Sequence, residues 1–418
     1  MEIKGNDEVE KIKSKFISAW NNVKYNEDSP TESCSTDVFD DEPVMGNVDG
    51  FRRDFASRIW LTYRDDFATL PESNITTDCG WGCTLRAGQM MLAQALLLHF
   101  LGRDWTWPDA LTLEPLDTET WTSSTARKLV ASIEASFQGD RLRVPEPSCQ
   151  PQCGAEEADA HLKEVYHRTI VSWFGDSLSA QLGVHRLVRL GMTSGKRAGD
   201  WYGPGVVAHI LRKAVEIATD PELRGVTVYV AQDCTGMPDK SSKSLTDNRA
   251  VIILIPVRLG GEKINPEYFS FVKAILSLEY CIGIIGGKPK QAYYFVGFQD
   301  DSMIYMDPHY CQSFVDVSTS NFPLQSYHCP SPKKMPFIKM DPSCTIGFYS
   351  KSVQDYERIS SELAKVLQPS SKEKYPAFTF MKGHGRDYEL SVPLEKREWP
   401  FIKDTRIPGA TAGDFVLL

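Results

Sequence analysis

Asp78-Cys79-Gly80-Trp81-Gly82-Cys83-Thr84-Leu85-Arg86 is followed, three residues on, by Met90-Met91-Leu92-Ala93-Gln94-Ala95-Leu96-Leu97-Leu98-His99-Phe100. The two glycines mark a tight turn. The run after it is apolar nearly all round, which predicts a buried helix from about Thr84 to Leu101. Cys83 therefore falls at a helix N-terminus, where partial positive charge and unpaired amides lower a thiol's pKa and can hold a developing oxyanion. A buried, inert cysteine is the competing reading, because many free cysteines are simply small core residues. The glycine-flanked turn favours the nucleophile.

Outward from that helix, Val206, Val207, Ile210, Leu211, Ala214 and Val215 recur at helical spacing behind Pro204, predicting a second helix over 204–218 with a charged outer face. β-Branched and aromatic residues predict strands at 226–230, 250–257, 292–298, 302–306 and 345–349, the last three as one antiparallel meander. Helices and strands mix without strict alternation and no internal repeat is present, so the class is α+β rather than doubly wound.

The predicted organisation is an N-terminal segment and flexible linker over 1–49, a core over 50–368 and a polar tail over 369–418. Order begins near Phe51. Asn26-Glu27-Asp28-Ser29-Pro30 and the acidic patch at Asp40, Asp41 and Glu42 mark the linker. Segments 138–158, with Pro145, Pro147 and Pro151, and 233–248, rich in Asp, Lys and Ser, read as surface insertions.

The chain has 418 residues, 42% hydrophobic and 24% charged, enough for a well-buried core. A net charge of -9 without a basic cluster argues against nucleic acid and for a protein partner with a basic face. Val9, Ile12, Phe16 and Trp20 form an amphipathic stretch interleaved with Asp7, Glu8 and Glu10, unlike an acid-poor transit peptide. Met90 to Phe100 is too short for the roughly 20 residues of a membrane span. These features point to a soluble, cytoplasmic protein whose ten cysteines are mostly reduced. Cys79/Cys83 and Cys149/Cys153 lack both zinc-knuckle spacing and a matched His pair, so no metal and no cofactor is expected.

Asp307-Pro308-His309 closes the strand predicted from Ser302. Residues two apart on a strand share a side, so the carboxylate can orient the imidazole, fix its tautomer and stabilise its charged form. A turn with a solvated histidine is the alternative. Taken with Cys83, the pair supplies the general base and orienting acid of a thiol hydrolase.

Thr77 to Arg86 and Met306-Asp307-Pro308-His309 resemble segments of the autophagy cysteine proteases, the autophagins. The resemblance extends through Arg58-Ile59-Trp60-Leu61-Thr62-Tyr63-Arg64, Asp200-Trp201-Tyr202-Gly203-Pro204 and Gly286-Gly287-Lys288-Pro289, in family order over residues 50 to 350. Lys15-Phe16-Ile17-Ser18-Ala19-Trp20 and Phe415-Val416-Leu417-Leu418 are most similar to the vertebrate C paralogue. The resemblance implies a papain-like fold with a triad of Cys83, His309 and Asp307. It also implies substrates among ubiquitin-like autophagy modifiers of the GABARAP and light-chain-3 kind. These would be cut after a C-terminal glycine, either in the precursor or in the membrane-bound phosphatidylethanolamine conjugate.

Tyr63 matches the family's oxyanion-binding tyrosine. Papain-like peptidases usually place a glutamine for this role six residues before the nucleophile, where this chain has Thr77. A structural tyrosine is the alternative. Trp201 matches a tryptophan that covers the nucleophile, and Gly286, Gly287, Lys288 and Pro289 match a loop over the cleft. Together they imply a slot that admits only glycine. Phe415 and Leu418, three apart beside Asp414, resemble a motif that adds a strand to a modifier's sheet edge, with a frayed apolar end as the alternative. Cys79 is a candidate to trap Cys83 in a reversible disulfide. Two other functions fit the same residues: a deubiquitinase-like thiol hydrolase, and a modifier-binding adaptor whose triad is idle or occluded by the termini.

Overall fold

A computed structural model describes residues 48–113, 154–231, 249–367 and 377–378. Nearly all of the sequence-predicted linker, both insertions apart from their flanks, and most of the tail, with Phe415 and Leu418, lie outside the described residues. The tail is not wholly outside the core as expected: Phe378 is buried, edge-on to Phe271 at 5.9 Å, because its aromatic ring covers apolar surface there.

In chain order the main elements are α1 (Val48–Ser57), β1 (Tyr63–Asp65), α2 (Cys83–Phe100), α3 (Gly154–Trp173), α4 (Val184–Met192), α5 (Pro204–Glu216), β2 (Val226–Val230) and β3 (Ala250–Arg258). There follow α6 (Phe269–Leu276), β4 (Cys281–Lys288), β5 (Gln291–Gln299), β6 (Ser302–Met306), β7 (Cys311–Ser313), β8 (Lys333–Pro336), β9 (Ser343–Ser350) and α7 (Val353–Val366). The architecture is α+β, as the patterning predicts. α1 begins at Val48, slightly ahead of the expected start of order at Phe51.

Seven strands form one mixed sheet in the order β2-β3-β9-β4-β5-β6-β8. β2 and β3 are parallel and every other neighbouring pair is antiparallel. The sheet has a helical layer on each face, and period-two alternation divides the side chains between them. On β3, Ile252 and Leu254 enter the core shared with α2 and α5, while Val251, Ile253, Ile255 and Val257 enter the core on the opposite face. α6 packs against β4 and β5 in that second core, and α7 against β9.

α2 is buried from Cys83 through Leu97, which accounts for its lack of a polar face. It lies across β4 and β5 and against α5. Two glycines permit this close packing. A Cβ at Gly88 would collide with Val207 of α5, and one at Gly347 of β9 would stand 2.8 Å from Met91 Sδ and 2.7 Å from Ile282 Cγ1.

The predicted meander is not formed. β5 and β6 are a hairpin, but β9 leaves them and inserts between β3 and β4. Strand composition locates a strand without naming its neighbours. A strand buried along nearly its whole length, as β9 is, needs partners on both edges. β4 is a second difference: its three glycines disguise a strand that pairs on both sides.

The Gly347→Val substitution should place a branched side chain against Met91 and Ile282. It is expected to cost about 1–3 kcal/mol of stability, measurable as a lowered midpoint in urea unfolding.

Candidate active site

The turn before α2 is organised by one carboxylate. Asp78 Oδ1 accepts the Arg64 backbone N–H at 2.7 Å, and Arg86 donates to both oxygens, at 2.7 Å from Nε and 3.0 Å from Nη2. The Asp78 carbonyl accepts the amides of Trp81 and Gly82 at 3.2 and 2.9 Å. Gly80 has φ +83°, and a Cβ at Gly82 would collide with the Asp78 carboxylate. The glycines are thus required by geometry. Arg86 also reaches Asp176 at 2.8 Å, an ion pair whose angle does not make it a hydrogen bond, and Arg64 stands 3.9 Å from the same residue. Burial works against the Arg86 charge, yet Asp176 and Asp78 hold it more firmly protonated than a free guanidinium.

Cys83 is the first residue of α2 and has 0% exposure. Tyr63 and Ala292 pack with it, and Cys311 lies against the group. β1 pairs in parallel with β7, with Tyr63 opposite Cys311, and the Tyr63 amide donates to the Pro308 carbonyl at 3.0 Å. These contacts bring the Asp307–His309 segment to the turn.

Asp307 and His309 do meet, by a route other than the predicted strand alternation. β6 ends at Met306, and the pair lies just beyond it. Asp307 Oδ1 accepts the backbone N–H of His309 at 3.0 Å, an Asx-type turn, and also meets His309 Nδ1 at 2.6 Å. The other carboxylate oxygen accepts from Lys333 Nζ at 2.9 Å, and Trp60 Nε1 donates to the Asp307 carbonyl at 2.8 Å. The imidazole ring is flanked edge-on by Tyr63 at 5.6 Å and Tyr293 at 5.1 Å.

The electrostatics couple the three groups. Burial pushes the Cys83 thiol up, but His309, the Ala292 backbone and the Tyr63 hydroxyl outweigh it, and the thiol lies below the ordinary cysteine value. Burial opposes the His309 charge, but Asp307 and Cys83 lift its pKa to about 9. Burial would also raise Asp307, yet His309 and Lys333 hold it below the usual carboxylate range. The Tyr63 hydroxyl is raised by burial and by Cys83, so it stays protonated and able to donate. Among the described residues neither His309 Nε2 nor the Tyr63 hydroxyl closes a hydrogen bond. Their influence on the sulfur is loosely directed, as is common before substrate binds. This arrangement can support a thiolate–imidazolium pair with a donor beside it.

The other predicted residues fall as follows. Thr77 Oγ1 donates to the Arg64 carbonyl at 2.7 Å and accepts the Cys79 amide at 3.2 Å, so its hydroxyl serves the turn. Gly286, Gly287 and Lys288 are strand, not loop: they end β4, and Gly287 pairs with Ala292, which sets this hairpin beside Cys83. Pro289 stands in the turn that follows. Trp201 is half-buried ahead of α5, with its indole nitrogen unpartnered among the described residues, and it does not pack on the Cys83 group. Cys79 is exposed, and the nearby Cys311 thiol holds its own below the ordinary cysteine value. Among the described residues, no group of three or more His, Cys, Asp or Glu is arranged to hold a metal, and no helix is long and apolar enough to cross a membrane.

Lys333, Trp60 and Asp176 were not legible as site residues. Arg86 gave a signal as the one charged residue in the buried stretch Cys83–Leu97.

The family model for the peptidase C54 catalytic domain matches residues 48–362. The human cysteine protease ATG4C is 56% identical to this chain with the whole of both chains covered, as is its counterpart from Mus musculus. The cysteine protease atg4da of Danio rerio is 47% identical over 93% of this chain and 84% of its own length.

Two outcomes follow from the geometry. Arg86→Met leaves Asp78 and Asp176 buried without their cation and should cost ~3–5 kcal/mol in denaturant unfolding. His309→Ala removes the group that holds the thiol down. Cys83 alkylation by iodoacetamide at pH 7, followed by mass, should therefore slow by about tenfold or more.

Proposed function

Because the chain belongs to the peptidase C54 family and is a cysteine protease, we propose that Cys83 is its nucleophile, with His309 as base and acid and Asp307 as the group that orients His309. The observation that carries this reading is the buried thiol at the start of α2, held below its ordinary pKa by a histidine that is itself bonded to a carboxylate at 2.6 Å. The substrates we propose are ubiquitin-like autophagy modifiers of the GABARAP and light-chain-3 families, cut after a C-terminal glycine in the cytoplasm. The similarity to ATG4C proteins along the full chain supports that substrate class.

The Cys83 thiolate attacks the glycine carbonyl carbon, and the electron pair of the C=O bond moves to oxygen. That oxyanion is stabilised by amides at the α2 N-terminus and by the Tyr63 hydroxyl. As the C–N bond breaks, the His309 imidazolium gives its Nε2 proton to the leaving nitrogen and a thioester remains. His309 then takes a proton from water, the resulting hydroxide attacks the thioester, and the Cys83 thiolate departs to leave the glycine carboxylate. The same steps serve two leaving groups: the α-amine of a C-terminal extension, and the amine of phosphatidylethanolamine in the membrane-bound conjugate. The enclosure of the sulfur by Tyr63, Ala292 and Cys311 supports glycine specificity, since a side chain at the scissile residue has no room beside it.

The test is cleavage of a C-terminally extended GABARAP-type modifier by the wild-type chain and Cys83→Ala, with the cut site read by mass. Cleavage after the glycine by wild type alone is expected. Equal cleavage by both would remove Cys83 from its role, and cleavage of ubiquitin in preference to the modifier would replace the substrate class.

A further inference from the structure

We propose that Lys333 is a positioning residue of this site: from the edge strand β8 its ammonium clamps one oxygen of the Asp307 carboxylate, so that the other is held on His309. The inference rests on the assignment of Cys83, His309 and Asp307 as the reacting set.

Asp307 lies outside the sheet, so no ladder fixes its side chain. The terminal torsion of an aspartate is broad and roughly two-fold, and little resists its rotation unless both oxygens are held. Here both are held. Oδ1 takes the His309 amide and Nδ1 at 3.0 and 2.6 Å, and Oδ2 takes Lys333 Nζ at 2.9 Å. Rotation of the carboxylate would break all three contacts.

A lysine on a surface strand ordinarily wanders, but this one is fixed from both ends. Its backbone is paired in register, Tyr305 opposite Lys333. Its ammonium lies 4.6 Å from the centre of the Tyr310 ring, which is itself packed edge-on against Trp60 at 5.4 Å. Trp60 in turn donates to the Asp307 carbonyl. Lys333 and Trp60 thus hold the side chain and the backbone carbonyl of Asp307 respectively, and the Tyr310 ring contacts both of them. Burial works against the Lys333 charge, but Tyr310 and Asp307 keep it firmly protonated. The carboxylate is 14% exposed and the lysine 37%, so the contact is sheltered at the end that matters.

The competing account is an ordinary ion pair that ties down the sheet edge, and the sign of a titration separates the two. The titratable groups facing His309 are Asp307, Cys83 on α2, Tyr63 on β1 and Tyr293 on β5, with Lys333 and Tyr305 behind the carboxylate. Removing a mere neighbouring cation would leave the imidazolium more stable and raise the His309 pKa. Removing a clamp would slacken the Asp307–His309 bond and lower it.

The experiment uses Lys333→Met and Lys333→Arg in the full chain, each also combined with Asp307→Asn. Two readouts are taken: kcat and KM on the extended modifier, and the pH dependence of Cys83 alkylation by iodoacetate, resolved by mass. The reagent's carboxylate is drawn to the imidazolium, so its rate falls as His309 loses its proton. Lys333→Met is expected to lower kcat by about tenfold with KM little changed, between the negligible effect of a solvated ion pair and the ~100-fold cost of a misplaced catalytic group. Its alkylation limb should fall at lower pH than in wild type, Lys333→Arg should recover most of both, and Lys333→Met should add nothing in the Asp307→Asn background. An unchanged kcat and limb, a limb moved to higher pH, or an equal fractional loss in the Asp307→Asn background would each overturn the proposal. If wild type fails to cleave the modifier, or Cys83→Ala cleaves it, the substrate or nucleophile reading fails instead, while the alkylation limb still decides the role of Lys333.

Discussion

The Asp78–Arg86 pair, in which both side chains are 0% exposed, is the constraint on which the site depends. One aspartate joins three pieces of chain: the strand that carries Tyr63, through the Arg64 amide; the glycine turn, through the amides of Trp81 and Gly82; and the first helical turn behind Cys83, through the Arg86 guanidinium. Tyr63 and Cys83 each adjoin a residue bonded to Asp78, so their separation is set by a single aspartate, through its carboxylate on the Arg64 side and its main-chain carbonyl on the Gly82 side. Burying these charges costs desolvation energy, and an apolar core of equal volume would often be as stable. What the ionic arrangement supplies is direction. Bidentate bonds of fixed length specify where the sulfur stands relative to the tyrosine ring, whereas apolar packing would leave room for drift.

The second half of the site is brought to the first by pairing. The parallel β1–β7 ladder and the Tyr63–Pro308 hydrogen bond anchor the segment after β6 beside α2, and the β4–β5 hairpin closes from the third side through Ala292. Three regions distant in sequence therefore converge at the helix N-terminus, each held by backbone bonds. The Asx-type turn at Asp307 gives the His309 ring its orientation from a two-residue spacing. The carboxylate that fixes the backbone is the same one that fixes the imidazole.

What could be read in the sequence was local. The helix behind Cys83, the proline-initiated helix at Pro204 and five strand segments follow from periodicity and propensity, and they are present. The Asp307–His309 pair was found on a strand argument, while the structure makes it in a turn; short separation rather than strand geometry was the sound part of the inference. Partnership was not legible. β9 is central and buried along nearly its whole length, which alternation cannot distinguish from membership of a meander, and β4 was hidden by its glycines, of which Gly287 serves close approach to Gln291 and Ala292. Lys333 carries no local signal, since a charged residue on an edge strand is usually solvated. Its relation to Asp307 exists only once β6 and β8 are in register.

Two polar atoms give the arrangement its chemical sense. His309 Nε2 and the Tyr63 hydroxyl are both buried and without a hydrogen-bond partner among the described residues, a condition that costs each of them a share of its solvation. Both belong to groups that lower the pKa of the Cys83 thiol, and a thiolate is a large, diffuse acceptor that only weakly repays a donor. A tetrahedral intermediate at the sulfur would change the balance. In the proposed mechanism its oxyanion would be a compact acceptor for the tyrosine hydroxyl, and its departing nitrogen an acceptor for the imidazolium proton. Interactions left open in the resting site and completed only as charge moves lower the barrier rather than merely tightening the ground state. The full burial of Cys83 fits the same proposal: excluding water leaves those donors unsatisfied, and it would strengthen each interaction formed with a substrate carbonyl.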